Sequence, residues 1–382
     1  MLLIIIMQPI GIIKISICIP VFSTEPFLLD CLRSAFTQNF DSFEILVVSD
    51  ASRGMDEKGR NAKKIVRLAQ KECNSFRKKN KLQPVQIRFI EHRENRGLIE
   101  VRRTLCTNAK GFYITQLDSD DQMEEGALKA LYESSRILDE GQNGLELQNG
   151  QSGQNTQNKQ FYDIVHGTST AGTFDEQNNF IPAGENRFGT IFYGTIFNHD
   201  IFRRWLINED FTANTWGKLI KRQLFIKAYE NIPYTECNMA DDLLLFFFLA
   251  QYAHSYIGIP QKVYKYRLGS GMTSHRKIDS IHKWKMICSA ASVFTVISQW
   301  IEDSKSKGLV TEQESSSKFI LSEDEIEKIR GYARHYIHNN YVQLKESVIP
   351  QLQEQAYDLL CDYWGCDFVQ IMESALNKSQ VK

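Results

Sequence analysis

Three acidic sites in the sequence have residue types and spacing suited to chemistry. LDSDD (117–121) sets Asp118, Asp120 and Asp121 within four positions, directly after the apolar segment FYIT (112–115). Carboxylates this close repel one another. A hard divalent cation held through oxygen by Asp118 and Asp120 would relieve that repulsion and leave positions for water and substrate phosphates. A nucleotide diphosphate is a ligand that arrives with such an ion. In MADDLLLFFFLAQYA (239–253), Asp241 and Asp242 open a strongly apolar helix. A carboxylate at the edge of a dry site can take a proton from an incoming hydroxyl. Asp50, in SDASRG, is the third site. Each also has a plain structural role open to it: acids ahead of a helix N-terminus, an N-cap, a turn residue. The residues alone leave both readings standing.

The elements around them bring two of these sites together. KISICIPVF (14–22), FEILVVSD (43–50), QIRFIEH (86–92) and FYITQL (112–117) read as strands, and 25–39, 59–80, 97–109 and 124–138 as helices. Such alternation predicts βαβ units and a mostly parallel sheet. Ligands of these sheets bind beyond the carboxyl ends of the strands. Asp50 closes the second strand and LDSDD the fourth, so both fall on one rim.

Further along, 141–160 is a Gln/Asn/Gly-rich, low-complexity insertion with little to bury. Structure resumes at FYDIVHG (161–167). A β-rich stretch to about 198 follows, then a helix near 216–229, an apolar helix from 241 and a strand over 259–268. Residues 281–382 read as a helical appendage, joined by the polar stretch near 303–318. Within it, Ser322 and Glu325 form a capping box. The expected organisation is an α/β domain over 1–280, carrying the 141–160 insertion, and a helical region over 281–382.

Composition narrows the classes. The 382 residues are 42% hydrophobic and 24% charged, which suits a globular protein with a sizeable core. A net charge of −1 argues against a general polyanion binder, and no nucleic-acid partner is expected. Eight cysteines without a C-x-x-C pair point to reduced thiols in a cytosolic protein and not to zinc. The apolar start is interrupted by Pro9, Gly11 and Lys14, and its second half reads as a strand and not as a membrane anchor.

Five ordered blocks between about Lys14 and Ser274 resemble a family 2 glycosyltransferase with the GT-A fold, of the kind that builds bacterial surface polysaccharides. They are KISICIPVFSTEPFLLDCLRSAFTQNFDSFEILVVSDAS, ENRGLIEVRRTLCTNAKGFYITQLDSDD, TWGKLIKRQLF, MADDLLLFF and YKYRLGSGMTS. The resemblance implies a Rossmann-like, mostly parallel sheet flanked by helices. It implies that Pro20, Val21 and Asp50 line the nucleotide base pocket, with Asp50 accepting from the base, usually uracil. Arg102 would sit near the nucleotide. Asp118 and Asp120 would form the D-x-D that holds Mn²⁺ or Mg²⁺, Asp118 lying closer to the ribose and donor sugar. Asp242 would be the catalytic base, Asp241 would help position the acceptor, and Trp216 and Lys218 would border the donor or acceptor sugar. Arg267 would approach the diphosphate, and His275 falls where some relatives offer a metal-contacting histidine. The implied activity is inverting transfer of a sugar from a nucleotide-sugar donor to a glycan or lipid-linked acceptor. It takes place in the cytoplasm and allows peripheral association with the inner face of the membrane.

Ser49, Ala51, Val101, Arg103 and Asp241 depart from that pattern; the first four bear on nucleotide choice and the last on acceptor contact. A haloacid-dehalogenase-type phosphatase also places D-x-D after a strand, but Gln122 stands where it needs threonine or valine. A nucleotidyltransferase predicts a glycine-rich basic loop after the first strand, which IPVFSTEPF lacks. The non-enzyme alternative is a sugar-nucleotide-binding scaffold of a polysaccharide assembly complex.

Overall fold

Strands β1 (Ile15–Val21) and β2 (Phe43–Ser49) are buried at every position, which is why both read as predominantly apolar runs without a polar face. The computed structural model describes residues 13–136, 161–185, 189–270, 277–308 and 320–379. The insertion at 141–160, the first twelve residues and His275 lie outside the described residues.

Helix α1 (Glu25–Phe36) follows β1, and α2 (Ala62–Lys79) leads from β2 to β3 (Ile87–Glu91). Next come α3 (Leu98–Asn108) and β4 (Tyr113–Gln116). β1 pairs in parallel with β2 and with β4, and β2 with β3. The registers bring Val21 beside Ser49 and Ser49 beside Glu91. The carboxyl ends of these strands therefore form one rim, as the alternation predicts. Gly97 caps the start of α3 at φ +86°, with the backbone of Cys237 so close that a Cβ there would lie 3.2 Å from its carbonyl oxygen.

The sheet continues through a second group of elements. These are β5 (Gln122–Met123), α4 (Ala127–Ser134), β6 (Ile164–Phe174), β7 (Phe180–Glu185), β8 (Gly194–Phe197) and α5 (His199–Leu206). Then come β9 (Lys218–Lys221), α6 (Arg222–Asn231), α7 (Asp241–Tyr252) and β10 (Ser255–Arg267). The strand order is β3-β2-β1-β4-β9-β6-β10-β5, with β7 and β8 pairing beside β6 and β10. β9 runs antiparallel between β4 and β6, while β6 and β10 are parallel. The β-rich stretch ends with β8 at Phe197, as expected, and α5 follows from His199. Two sequence expectations are corrected here. The helix near 216–229 begins only at Arg222, because KLIK finds a strand partner on each side. Residues 303–308 are helical, as the end of α9 (Ala290–Gly308).

The C-terminal helices are α8 (Ile281–Cys288), α9, α10 (Glu323–Glu346), α11 (Gln353–Trp364) and α12 (Cys366–Ser379). The capping box at Ser322 and Glu325 opens α10. Val293, Phe294 and Ile297 of α9 join the same apolar cluster as Leu244–Ala250 of α7. Trp300 lies 5.5 Å from Phe247 and 5.8 Å from Phe248, ring centre to ring centre. A separate cluster around Trp284, Ile337, Tyr341 and Leu360 holds α8, α10 and α11 together. Polar contacts fasten α10 to α5 and the turn after it: Glu325 to His199 at 3.0 Å and Lys328 to Glu209 at 2.6 Å. The architecture is a mostly parallel sheet flanked by helices, followed by a helical region. Among the described residues no helix is long and apolar enough to cross a membrane.

Candidate active site

Beyond the end of β4 the chain turns at once, with the Asp121 amide donating to the Asp118 carbonyl at 3.0 Å. The turn sends its three carboxylates to different partners. Asp118 Oδ1 accepts from Arg102 at 3.2 Å. Asp120 Oδ2 accepts from the Ser270 hydroxyl at 2.8 Å, and its carbonyl accepts from Arg267 Nε at 2.8 Å. Asp121 is buried and accepts from the Tyr264 hydroxyl and the Arg267 amide, each at 2.7 Å. Burial and the neighbouring acids Asp120 and Asp118 push Asp121 well above the usual carboxylate range. Burial also raises Asp118, to about 6, against the pull of Arg102. The third acid is thus a strut that ties the turn to β10, and the first two stay open to the cleft.

Arg102 organises the other side. It is 2% exposed and projects from α3 into the gap between β4 and α7. Its Nε donates to Asp241 at 2.8 Å and Nη1 to Gln116 at 3.1 Å; Nη2 lies 3.2 Å from Asp118 and 3.8 Å from Asp242. Burial opposes its charge, yet Asp241, Asp118 and Asp242 hold the guanidinium well above its ordinary value. A buried arginine fork of this kind fixes carboxylate positions as well as neutralising them.

The acid pair divides its work by exposure. Asp241 and Asp242 begin α7, after Ala240 in a left-handed conformation at φ 62°. Asp241 is 9% exposed and locked on Arg102. Burial and Asp242 raise its affinity for a proton, against Arg102. Asp242 is 27% exposed, and Oδ1 accepts from the Thr215 hydroxyl at 2.9 Å and the Thr215 amide at 3.3 Å. Both of these bonds fall on Oδ1, and among the described residues none falls on the second oxygen.

Lys218 is fully buried, with its ammonium on the carbonyls of Thr212 and Asn214. Burial lowers it to about 7, against the attraction of Asp242. It thus braces the 212–216 loop that carries Thr215. Trp216 stacks on Tyr264 at 4.7 Å. Asp50 sits farther along the rim, where it accepts from His92 Nδ1 at 2.7 Å and from the amides of Arg96 and Gly97 at 3.0 and 2.9 Å. Pro20 and Val21 end β1 beside it, with the Asp50 amide on the Val21 carbonyl at 3.0 Å.

The structure therefore gathers Asp118, Asp120, Arg102, Asp241, Asp242 and Arg267 about one cleft. Asp50 holds the loop at 92–97, and Lys218 lies behind the cleft wall. Thr215, Gln116, Asp121, Tyr264 and Tyr266 are the residues that the sequence reading did not single out for a role. The Tyr264–Tyr266 alternation ahead of Arg267 was the available signal. The open donors at the turn are carboxylate oxygens, the ligand chemistry of Mg²⁺ and Mn²⁺. Among the described residues no group of three or more ligating side chains converges, so an ion at Asp118 and Asp120 would need oxygens from a substrate or water.

The sequence model of glycosyl transferase family 2 matches residues 16–203. Glycosyltransferase GlyA of Streptococcus pneumoniae serotype 4 is 24% identical over 261 residues, 68% of this chain and 31% of GlyA. Glycosyltransferase GlyG of the same organism is 29% identical over 126 residues, 33% of this chain and 36% of GlyG. The chain thus spans about a third of the length of these curated relatives. Among solved structures, S. aureus TarS residues 1–349 in complex with UDP-GlcNAc aligns over 96% of this chain and 92% of the TarS chain, with 14% identity and a TM-score of 0.46.

Proposed function

We propose, on the premise that residues 16–203 belong to glycosyl transferase family 2, that this chain is an inverting, metal-dependent glycosyltransferase. It moves a sugar from a nucleotide-diphosphate donor, a UDP-sugar, to a hydroxyl of a glycan or lipid-linked acceptor in cell-surface polysaccharide synthesis. Residues 1–280 carry the catalysis in the cytoplasm, and 281–382 buttress them. One observation supports this above the rest: Arg102 joins Asp118 of the D-x-D to both Asp241 and Asp242, 2.8–3.8 Å from its nitrogens. A diphosphate site and a proton acceptor thereby share one cleft.

The nucleotide lies along the rim of β1, β2 and β4, over Pro20, Val21 and Asp50. Asp118 and Asp120 would hold the divalent ion. When bound, Mn²⁺ or Mg²⁺ supplies positive charge against the diphosphate as it departs. Arg267, over the ring of Phe174 at 3.8 Å, adds a fixed cation on the same side. Asp242 takes the proton of the acceptor hydroxyl on its unbonded oxygen while Thr215 fixes the other. The acceptor oxygen forms a bond to the anomeric carbon as the carbon–oxygen bond to the diphosphate breaks, and the nucleoside diphosphate leaves with the bonding electrons. Asp241 keeps Arg102 in place and leaves the proton transfer to its neighbour.

Thermal unfolding with UDP and other nucleoside diphosphates, with and without Mn²⁺, tests the reading on wild type and Asp120→Ala. A ligand at about a hundred times its dissociation constant adds about 2.7 kcal/mol to stability. The expected result is a nucleotide shift that requires both Mn²⁺ and Asp120. No shift with any nucleotide would reject the donor site.

A further inference from the structure

Three rings pack together where Tyr264 reaches the D-x-D turn and Thr215 reaches the acid pair. Trp216 is the middle ring, 4.7 Å and 21° from Tyr264 on one side and 5.6 Å and 35° from Tyr266 on the other. Trp216 and Tyr264 are buried, while Tyr266 keeps part of its surface open. The trio is anchored at both ends of the cleft. At one end, the Tyr264 hydroxyl donates to Asp121, and the residue after Tyr266, Arg267, donates its amide to Asp121 and its Nε to the Asp120 carbonyl. At the other end, the residue before Trp216, Thr215, donates twice to Asp242.

We infer that Tyr266, backed by Trp216, is the platform on which the donor's sugar ring lies, and so a determinant of which sugar is transferred. The inference rests on the proposed glycosyl transfer and deepens it. In that reaction the anomeric carbon must sit between the diphosphate, held at Asp118 and Asp120, and the acceptor oxygen, held at Asp242. The outermost ring of the trio borders that interval. It stands one residue from the contacts with Asp120 and Asp121, on the side where the sugar is still joined to its phosphate. A pyranose presents an apolar face of C–H groups, and an aromatic ring offers it a flat, rigid surface at little cost in conformational entropy. The surroundings favour a neutral phenol there: burial first, then Asp121, Asp118, Asp120 and Asp242, push its hydroxyl up to about 12. Tyr266 therefore meets the sugar as a stacking surface with a proton still on its oxygen. Trp216 sets the depth of the platform, and its stack on Tyr264 ties that depth to the position of Asp121.

Calorimetric titration in Mn²⁺ tests this with the nucleoside diphosphate that wild type binds and with its hexose conjugates, for UDP these being UDP-glucose, UDP-galactose and UDP-N-acetylglucosamine. Tyr266→Ala is expected to weaken the best-bound conjugate about tenfold and to leave the bare diphosphate within about twofold. Tyr266→Phe, which keeps the ring, is expected to bind both as wild type does. The bare diphosphate serves as the control for folding and for the metal site. Equal weakening of diphosphate and conjugate by Tyr266→Ala, or no weakening of either, would overturn the platform and leave the glycosyltransferase reading intact. Failure of wild type to bind any nucleoside diphosphate would overturn the reading itself, and the platform with it.

Discussion

Arg102 Nε donates to Asp241 Oδ2 at 2.8 Å, linking α3 to the first turn of α7 across 139 positions of sequence. Three carboxylates lean on this one cation, and removing it leaves them close together with nothing between them. Breaking a buried pair from one side typically costs about 3–5 kcal/mol, so Arg102→Met should lose that much in urea unfolding at pH 8. The deficit should shrink at pH 5. Asp118 and Asp241 both have raised proton affinity, and without the guanidinium they take up protons sooner. An Arg102→Met protein as stable as wild type at pH 8 would show that the cluster is held by something else.

Asp242 and Thr215 make a separable pair. Asp242→Asn keeps the shape and the bonds from Thr215 but loses the basic oxygen, so turnover should fall by about 10²–10⁴. Binding of nucleoside diphosphate should stay close to wild type. Thr215→Val removes the hydroxyl that fixes Oδ1 at 2.9 Å and leaves the base itself. Its expected signature is a fall of about tenfold in kcat with little change in donor KM. Steady-state kinetics on the two variants separates the proton acceptor from the residue that aims it.

The D-x-D turn predicts opposite pH trends for stability and binding. Burial raises Asp118 to about 6, above its unfolded value of about 3.9. The folded chain therefore holds this proton more tightly than the unfolded chain. The resulting stabilisation is complete below the unfolded value and is lost as pH rises through about 6. Compared with Asp118→Asn, ligand-free wild type should lose stability between pH 4 and pH 6. Metal-dependent nucleotide binding needs the ionised carboxylate and should strengthen over the same range. Thermal unfolding across pH, with and without Mn²⁺ and UDP, reads both trends; parallel trends would place the titration elsewhere.

How much of this was legible beforehand depends on where each residue finds its partners. β1 and β2 are buried on both faces, so their apolar runs announce them. KLIK of β9 is a strand because β4 and β6 flank it; four residues leading into a helix carry no such signal, and the fold overrides local propensity. The acids of the cleft could be picked out by type and spacing. Asp121 could not be told from Asp120, because only Tyr264 and the Arg267 amide, more than 140 positions away, make it a strut. Lys218 shows the same limit. The resemblance sets it beside the donor or acceptor sugar, and only the fold reveals that its ammonium lies on the carbonyls of Thr212 and Asn214.

The helical region after β10 should not behave as a detachable appendage. Phe294 of α9 is buried in the same cluster as α7, the helix that begins with Asp241 and Asp242. Its ring lies 5.5 Å from Tyr336 of α10 and 5.8 Å from Trp364 of α11. One residue thus touches the α7 cluster and two helices of the region behind it. A buried Phe→Ala change costs about 3–5 kcal/mol through the lost burial and the cavity left behind. Phe294→Ala should lower the stability of the whole chain by that amount in one cooperative transition, and it should weaken nucleotide binding only near the new midpoint. The check is denaturant unfolding followed by near-ultraviolet dichroism alongside nucleotide binding. Were the C-terminal helices an independent unit, the variant would instead show an early transition that leaves the nucleotide site intact, because the helices would unfold first. The packing of Val293, Phe294 and Ile297 against α7 argues for the single transition.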